Sequence, residues 1–148
     1  AALAHHPKLL ILDEATAGLD PVVRDEILDE FLAFIQEETH AILISSHITS
    51  DLEKVADYVT YLHKGKVAVQ GAKDELLDTY GRLVCARSDL AAVDPALLAG
   101  KRVSQFGCEA LIKDRRAFCR RYPQLTVDPV TLEEIMLFTV KGDGSCAD

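Results

Sequence analysis

The chain has 148 residues, 49% of them apolar, and a formal net charge of −8, which suits one globular domain or one and a half small ones. Its acidic balance repels phosphate backbones, so a nucleic-acid partner is not expected. No stretch approaches the roughly 18 to 20 uninterrupted apolar residues that cross a bilayer, so direct membrane insertion is not expected either.

The first strong pattern is an apolar run that stops abruptly at two acids. Residues 1–6 favour a helix that Pro7 ends, and residues 9–12 (Leu-Leu-Ile-Leu) then lead directly into Asp13 and Glu14. Four large apolar residues predict a strand buried on both faces of a parallel sheet. The acids follow at its carboxyl end, where open α/β sheets bind ligands. Taken alone, such an acidic pair more often ends a strand than forms a site.

A helix and a second strand follow. Asp20 is predicted to cap a helix that begins at Pro21 and runs, by its apolar periodicity, to about Glu38. Residues 41–45 predict another apolar strand, which leads to His47. A strand, a helix and a strand in this order form a right-handed crossover, so the two strands should be parallel and end at the same edge. The two acids and the imidazole are therefore expected together.

Shorter elements occupy the rest of the chain. A helix over 48–57, capped by Thr49 or Ser50, is predicted before a hairpin that Gly71 ends; Gly81 is predicted to close the next helix. From residue 58 onward the predicted elements are a hairpin (58–62 with 67–70), a helix (73–80), a strand (83–86), a short helix (94–100), a second hairpin (102–106 with 109–112), a basic helix (114–122), a strand (125–127) and a final helix (131–141). Thr131 and Glu134 are predicted to form a capping box at the start of the final helix. They predict a domain over residues 1–80, a small α+β appendage over 81–141 and a disordered tail over 142–148.

Two further groups of residues admit bland interpretations. The basic helix carries Arg115, Arg116, Arg120 and Arg121, which fit a partner-binding patch, although a solvated helix face is the favoured interpretation in an acidic chain. The four cysteines have neither C-x-x-C spacing nor a histidine at metal-ligand spacing. Ordinary thiols are therefore expected, with no zinc site and no disulfide.

Three motifs together resemble those of one protein family. Residues 9–14 resemble the Walker B strand and catalytic glutamate of the ATP-binding subunits of ABC transporters. The loop Ala17–Asp20 is similar to their D-loop, and His47, after two serines, is similar to their switch histidine. The resemblance covers about residues 1–75, and the chain has no G-x-x-x-x-G-K-[ST] phosphate loop, glutamine loop or Ser-Gly-Gly signature. It is therefore a resemblance to the C-terminal part of such a subunit only.

The resemblance implies a fold and a set of site residues. The implied fold is the C-terminal part of a P-loop NTPase-like parallel sheet with flanking helices (α/β), followed by the appendage. ATP and Mg²⁺ are the implied cofactors. Asp13 would hold Mg²⁺ through a water, and Glu14, on the opposite face of the extended chain, would act as general base. His47 would contact the terminal phosphate. Gly18 and Asp20 would help to bind the nucleotide, Asp20 by capping its own helix, by reaching a second subunit, or both.

The resemblance also implies partners and a location. The final helix, with Leu132–Phe138 followed by Lys141 and Gly142, is similar to the C-terminal extension of subunits that pair with exporter-type permeases. The implied function is ATP hydrolysis coupled to export. The implied partners are a membrane permease subunit and a second nucleotide-binding subunit, with which the chain would form a homodimer. The implied location is cytoplasmic, on the inner face of the cell membrane.

Two other functions stay open. One is a non-catalytic module that binds a permease or regulates the subunit, and the other is a soluble ABC ATPase of translation or repair, which the acidic balance disfavours. Because the phosphate loop supplies most of the triphosphate binding, this chain alone is expected to be inactive. It is also expected to dimerise or to exchange strands, because an incomplete sheet leaves apolar surface open.

Overall fold

A computed structural model describes residues 7–104 and 107–141. The helix expected over residues 1–6 and the tail expected over 142–148 therefore lie outside the described residues. Contacts between Cα atoms divide the chain into two compact units, Ala1–Ala56 and Asp57–Asp148. Within the described ranges, no helix is both long enough and apolar enough to cross a membrane.

The first unit is a strand–helix–strand–helix arrangement. Its elements are β1 (Leu9–Asp13), α1 (Pro21–Phe34), β2 (Ala41–Ser45) and α2 (Thr49–Val55). The strands are parallel and in register from Leu9 opposite Ala41 to Asp13 opposite Ser45. The predicted parallel pairing is confirmed, and the carboxyl ends of the two strands lie side by side.

The two helices of this unit begin differently. Asp20 caps α1 as predicted, because its Oδ1 accepts the backbone N–H groups of Val22 and Val23 at 3.1 and 3.2 Å. The predicted cap of α2 by Thr49 or Ser50 is wrong: Ile48 is the N-cap residue and offers no side-chain acceptor.

One face of the β1–β2 sheet is covered and the other is open. Leu10 is 5% exposed and belongs to the core with Leu28 and Phe31 of α1, whereas Leu9, Ile11 and Leu43 are 53%, 71% and 63% exposed. Alternate residues of a strand point to opposite faces. The prediction that β1 is buried on both faces is wrong for this chain, because its described residues supply a covering layer on one side only.

The second unit begins with a hairpin of β3 (Tyr58–His63) and β4 (Lys66–Ala72). Its two-residue turn places Lys64 at φ 48° and Gly65 at φ 74°, as a type I′ turn requires. Gly71 does not end the strand as predicted, because it pairs with Val59 inside β4. A Cβ at Gly71 would lie 3.3 Å from the Leu76 side chain, so glycine leaves room for the following helix.

The remaining elements form an antiparallel sheet with helices. They are α3 (Lys73–Thr79), β5 (Gly81–Cys85), α4 (Arg87–Ala92), β6 (Leu98–Ser104), β7 (Gly107–Ile112), α5 (Arg115–Arg121), β8 (Val127–Asp128) and α6 (Leu132–Lys141), with strand order β6-β7-β5-β8. Helix α4 is not predicted, and a 3₁₀ turn over Pro95–Leu97 and the first residues of β6 replace the helix expected at 94–100. Gly81 starts β5 instead of capping α3; a Cβ there would collide with Val127. The mixed α/β class is confirmed.

The core of the second unit lies between this sheet and its helices. Its buried cluster consists of Leu83, Val93, Ala110, Ile112, Phe118 and Val127. The capping box of α6 is confirmed: the Glu134 N–H donates to Thr131 Oγ1 at 3.2 Å, and the Thr131 N–H donates to Glu134 Oε2 at 3.0 Å.

Two of the four arginines of α5 have acidic partners within their own unit. Arg116 pairs with Asp78 at 2.6 Å, and Arg121 pairs with Asp94 at 3.0 Å. These contacts agree with the interpretation of the basic helix as an ordinary surface.

The compact units divide at a different place from the predicted domains. The expected boundary at residues 80 and 81 assigns the β3–β4 hairpin to the first domain. In the structure this hairpin belongs to the second unit, because β4 packs with α3 and α6. The assignment of residues 1–80 to one functional domain stays a prediction.

We expect the open sheet face to drive self-association. Light scattering should report a mass above the 16.2 kDa of one chain, because burial of exposed apolar surface is favourable. Ile11→Lys should shift the distribution towards monomer, whereas Val84→Lys, at an exposed valine of the second unit, should not. A wild-type chain that stays monomeric over a wide concentration range contradicts this expectation.

The thiols should differ in reactivity. Cys85 and Cys108 are opposite each other on β5 and β7; burial, and then the neighbouring Cys108, raise the pKa of the Cys85 thiol. Cys119 is exposed. Because the thiolate is the nucleophile, alkylation at mildly alkaline pH, mapped by mass spectrometry, should modify Cys119 at least about tenfold faster than Cys85 or Cys108. Equal rates in the folded chain would contradict the described burial.

Candidate functional site

The carboxyl ends of β1 and β2 are tied together by polar contacts. Asp13 and Ser45 are register partners, and the Ser45 hydroxyl donates a hydrogen bond to Asp13 Oδ1. The backbone N–H of Glu14 donates to the carbonyl oxygen of Ser45 at 3.0 Å and lies 3.3 Å from Ser45 Oγ. The sheet ladder therefore continues one residue beyond Asp13.

Glu14 turns the chain out of the strand. Its φ is +48°, a left-handed conformation that is uncommon for a residue with a side chain and costs on the order of 1–3 kcal/mol. The prediction that Glu14 continues an extended chain, with its side chain opposite that of Asp13, is wrong for this reason. The Ala17 N–H closes the turn by donating to the Glu14 carbonyl oxygen at 3.0 Å.

His47 contacts the Glu14 carboxylate. Glu14 Oε2 lies 2.6 Å from His47 Nδ1 and accepts the His47 backbone N–H at 3.4 Å. Both side chains remain open to a ligand, since they are 70% (His47) and 39% (Glu14) exposed. With Nδ1 engaged, Nε2 is the ring nitrogen left to contact a bound group. The structure thus brings the three predicted residues Asp13, Glu14 and His47 to one edge.

The loop Ala17–Asp20 leaves this edge without joining it. Gly18 has φ +75°, a left-handed conformation that favours glycine. No atom other than those of Gly18 and its two chain neighbours lies within 4 Å of the position that a Cβ would take, so this surface of the loop is open. Asp20 is occupied with capping α1. Within the described part of the chain, no hydrogen bond joins Gly18 or Asp20 to Asp13, Glu14 or His47. Of the two expected roles of Asp20, capping is confirmed and contact with a second subunit stays a prediction.

The helices that follow the two loops are joined by one lysine. Lys54 Nζ of α2 lies 2.6 Å from Asp25 Oδ1 and 2.7 Å from Asp29 Oδ1 of α1. These two bonds raise the pKa of Lys54, that to Asp25 having the larger effect. Arg24 of α1 also donates to the Leu19 carbonyl oxygen of the loop at 3.3 Å. The loop after β1 and the loop after β2 are thereby anchored to the same helix pair.

The oxygen donors at this edge fit a magnesium ion held mostly by other groups. Among the described residues, no cluster of three or more potential ligand side chains exists, so they form no all-protein cage. Ser45 occupies one Asp13 oxygen, which leaves the other for a ligand. A single carboxylate is sufficient for Mg²⁺, which retains waters and binds substrate phosphates.

Sequence reasoning missed one residue of this edge. Ser45 belongs to no motif that predicts a function, and in the sequence it is only one of the two serines before His47. The register of the parallel strands could have identified Ser45. If the pairing ends at Asp13, the last residue of β2 lies directly opposite Asp13.

The geometry defines a kind of site. Acids after one strand and an imidazole after its parallel neighbour lie at the carboxyl ends of a parallel pair, which is the edge where open α/β sheets bind ligands.

Comparisons with known proteins find relatives of this chain. No family model matches the chain. The uncharacterized ABC transporter ATP-binding protein YhcH of Bacillus subtilis is 44% identical over 77 residues, which are 51% of this chain and 25% of that protein. A putative ABC transporter ATP-binding protein of Mycoplasma pneumoniae is 40% identical over 90 residues (60% and 28%). The energy-coupling factor transporter ATP-binding protein EcfA2 of Bacillus thuringiensis is 28% identical over 145 residues (98% and 45%).

The chain spans between a quarter and just under half of the length of these relatives. Over the matched residues it is homologous to the ATP-binding proteins of ABC transporters, as the resemblance of its motifs implied.

The Lys54 contacts generate a prediction about stability and pH. Because the pKa of Lys54 is raised from its ordinary value of 10.5, its contribution is complete below that value and is lost as the pH rises through the folded-state pKa. The free energy of unfolding, measured with urea at about pH 9 and again at about pH 11.5, should fall between the two pH values. This fall should be smaller in Lys54→Met than in wild type. Lys8→Met removes an exposed lysine without such partners and should lose as much as wild type; identical losses in all three proteins would contradict the role of Lys54.

Proposed function

We propose that this chain supplies part of the ATP-hydrolysing site of an ABC transporter ATP-binding subunit. The observation that carries the proposal is the pairing of the two strand ends, which places Asp13, Glu14 and His47 at one edge with Glu14 Oε2 2.6 Å from His47 Nδ1. The names of the three relatives support ATP binding and transport.

Asp13 is proposed to hold Mg²⁺ through a water. Its carboxylate has one oxygen on the Ser45 hydroxyl and the other available. A bound Mg²⁺ would neutralise part of the charge on the phosphates, which phosphoryl transfer requires. The proposed role of Asp13 is to fix the position of the Mg²⁺ ion relative to Glu14.

Glu14 is proposed to take a proton from the attacking water. A carboxylate that is 39% exposed can reach a bound water, and general-base catalysis contributes about 10²- to 10⁴-fold in rate. His47 is proposed to hold Glu14 in its strained turn through Nδ1 and its backbone N–H, and to present Nε2 to the terminal phosphate. Gly18 and Asp20 are proposed to contact the nucleotide held by a second subunit, as the resemblance implies.

Charge explains why the chain alone is proposed to be inactive. Residues 1–56 contain three Lys or Arg and eleven Asp or Glu, a formal net charge of −8. A triphosphate is repelled by such a surface unless cations and a backbone cradle supply the attraction. The 148 residues contain no phosphate-loop motif that would provide them, which supports the proposal that the chain alone is inactive.

The finer proposals concern partners and direction. A permease subunit and a second nucleotide-binding subunit are the proposed partners, with the protein at the cytoplasmic face of the membrane. Export is proposed from the resemblance of residues 132–138 alone. The relative matched over 98% of the chain is named for an energy-coupling factor transporter, so a transport assay in both directions is the test of export.

A non-catalytic interaction module is the alternative. The second unit has a core of its own, which favours this alternative only if the strand-end residues prove dispensable. The experiment below separates the two functions.

The test compares ATP hydrolysis by the natural polypeptide that carries these residues with hydrolysis by the isolated 148-residue chain. The natural polypeptide should release phosphate in a Mg²⁺-dependent reaction that Glu14→Gln slows by about 10²-fold or more. Glu30→Gln removes an exposed acid of α1 and should leave the rate unchanged. The isolated chain should show no such release.

Two results would contradict the proposal. Hydrolysis that survives Glu14→Gln in the natural polypeptide would favour the interaction module. Magnesium-dependent release by the isolated chain that vanishes in Glu14→Gln would show that it needs no other half.

A further inference from the structure

Ser45 is the residue of the second strand that contacts both acids of the first. It lies at the last position of β2, opposite Asp13 in the parallel register. Its hydroxyl donates to Asp13 Oδ1 and is 3.3 Å from the Glu14 N–H, and its carbonyl oxygen accepts that same N–H at 3.0 Å. A hydroxyl has one proton to donate and two lone pairs, so Ser45 can make both side-chain contacts at once.

The contact with Asp13 restricts a side chain that is otherwise free to rotate. Asp13 is exposed, and the terminal torsion of an aspartate has broad, roughly two-fold preferences. A hydroxyl donor that holds Oδ1 selects one orientation and directs the second oxygen away from β2. A ligand carboxylate that is hydrogen-bonded in this way is already oriented before its metal arrives.

The contacts with Glu14 fix a strained backbone. The left-handed φ of +48° at Glu14 persists only where the surroundings determine it. Two acceptors on Ser45 hold the amide of Glu14, while His47 holds its carboxylate. Ser45 therefore contacts the backbone of Glu14, and His47 contacts its side chain.

We propose that Ser45 is a positioning residue: its hydroxyl orients Asp13 for the metal, and the same hydroxyl helps to fix the turn that presents Glu14. The inference rests on the proposed function where it concerns Mg²⁺. Its claim about the Glu14 amide stands on this chain alone.

The first test measures metal use by the natural polypeptide in wild type, Ser45→Ala and Ser45→Thr. Removing a group that orients a metal ligand lowers metal affinity or activity about 10- to 100-fold. Ser45→Ala should raise the Mg²⁺ concentration for half-maximal ATP hydrolysis by that factor. It should equally weaken Mn²⁺ binding in the presence of ADP, followed by the electron paramagnetic resonance signal of free Mn²⁺.

Ser45→Thr keeps the hydroxyl and adds a methyl group that a strand accommodates. It should stay within about threefold of wild type in both measurements, which is well inside the 10- to 100-fold loss of the alanine variant. An alanine variant that matches wild type overturns the proposal. So does a threonine variant as impaired as the alanine variant, because the hydroxyl would then not be the group that matters.

The second test needs no nucleotide. Hydrogen exchange of the 148-residue chain, resolved by NMR, should show the Glu14 amide exchanging at least about threefold faster in Ser45→Ala than in wild type or Ser45→Thr. The Arg24 amide, which donates to the Asp20 carbonyl oxygen in α1, serves as the internal reference and should not change. The backbone carbonyl oxygen at position 45 accepts the same N–H and is present in all three proteins, so equal exchange of the Glu14 amide overturns the claim that the Ser45 hydroxyl helps to hold it.

The two tests separate the inference from the function on which it rests. If Glu14→Gln leaves hydrolysis intact, the proposed function fails, and the exchange experiment still decides whether Ser45 holds Glu14. If Glu14→Gln abolishes hydrolysis while Ser45→Ala changes neither metal affinity nor amide exchange, the function stands and the role of Ser45 is wrong.

Discussion

The parallel pairing of β1 with β2 is the constraint on which the site depends. Its register sets Asp13 opposite Ser45, and a slip by one residue would move every side chain of one strand to the other face. The acids stand at the end of β1 and directly after it, and the imidazole follows β2, 33 residues beyond Glu14 along the chain. These residues meet only because the two strands end together.

The strained turn at Glu14 shows how the same pairing adjusts a side chain. A residue in the left-handed region needs compensating contacts, and those of Glu14 come from Ser45, His47 and Ala17. Two of these three residues, Ser45 and His47, also have roles in the proposed chemistry. Lys54 adds a second level, because it joins the helices that follow the two loops. Exposed ion pairs are weak individually, so the strand register is the main determinant and the lysine an auxiliary one.

Local patterns in the sequence predicted the elements with strong periodicity or clear chemical signals. The Asp20 cap, the parallel strands and the Thr131–Glu134 box were all readable, because each depends on neighbouring residues or on connection rules. The predictions that Gly71 and Gly81 end elements are wrong. Glycine is needed at these positions because the side chains of Leu76 and Val127 come close, and such tertiary contacts cannot be predicted from a local pattern. The conformation of Glu14 could not be predicted either, because no residue of the segment Asp-Glu-Ala-Thr is typical of a positive φ. The open face of β1 was missed because hydrophobicity indicates where a cover is needed, and it does not state whether this chain provides one.

The ends of β1 and β2 hold Asp13, Glu14 and His47 together at one edge of the sheet. A nuclear Overhauser spectrum of the assigned 148-residue chain tests this arrangement most directly, because such cross-peaks arise between protons that are close in space. The structure predicts cross-peaks from the Glu14 amide to Ser45 and from the Glu14 side chain to the His47 ring. A well-dispersed spectrum of a folded chain in which both sets are missing, with Ser45 next to a different residue of β1, would contradict the account.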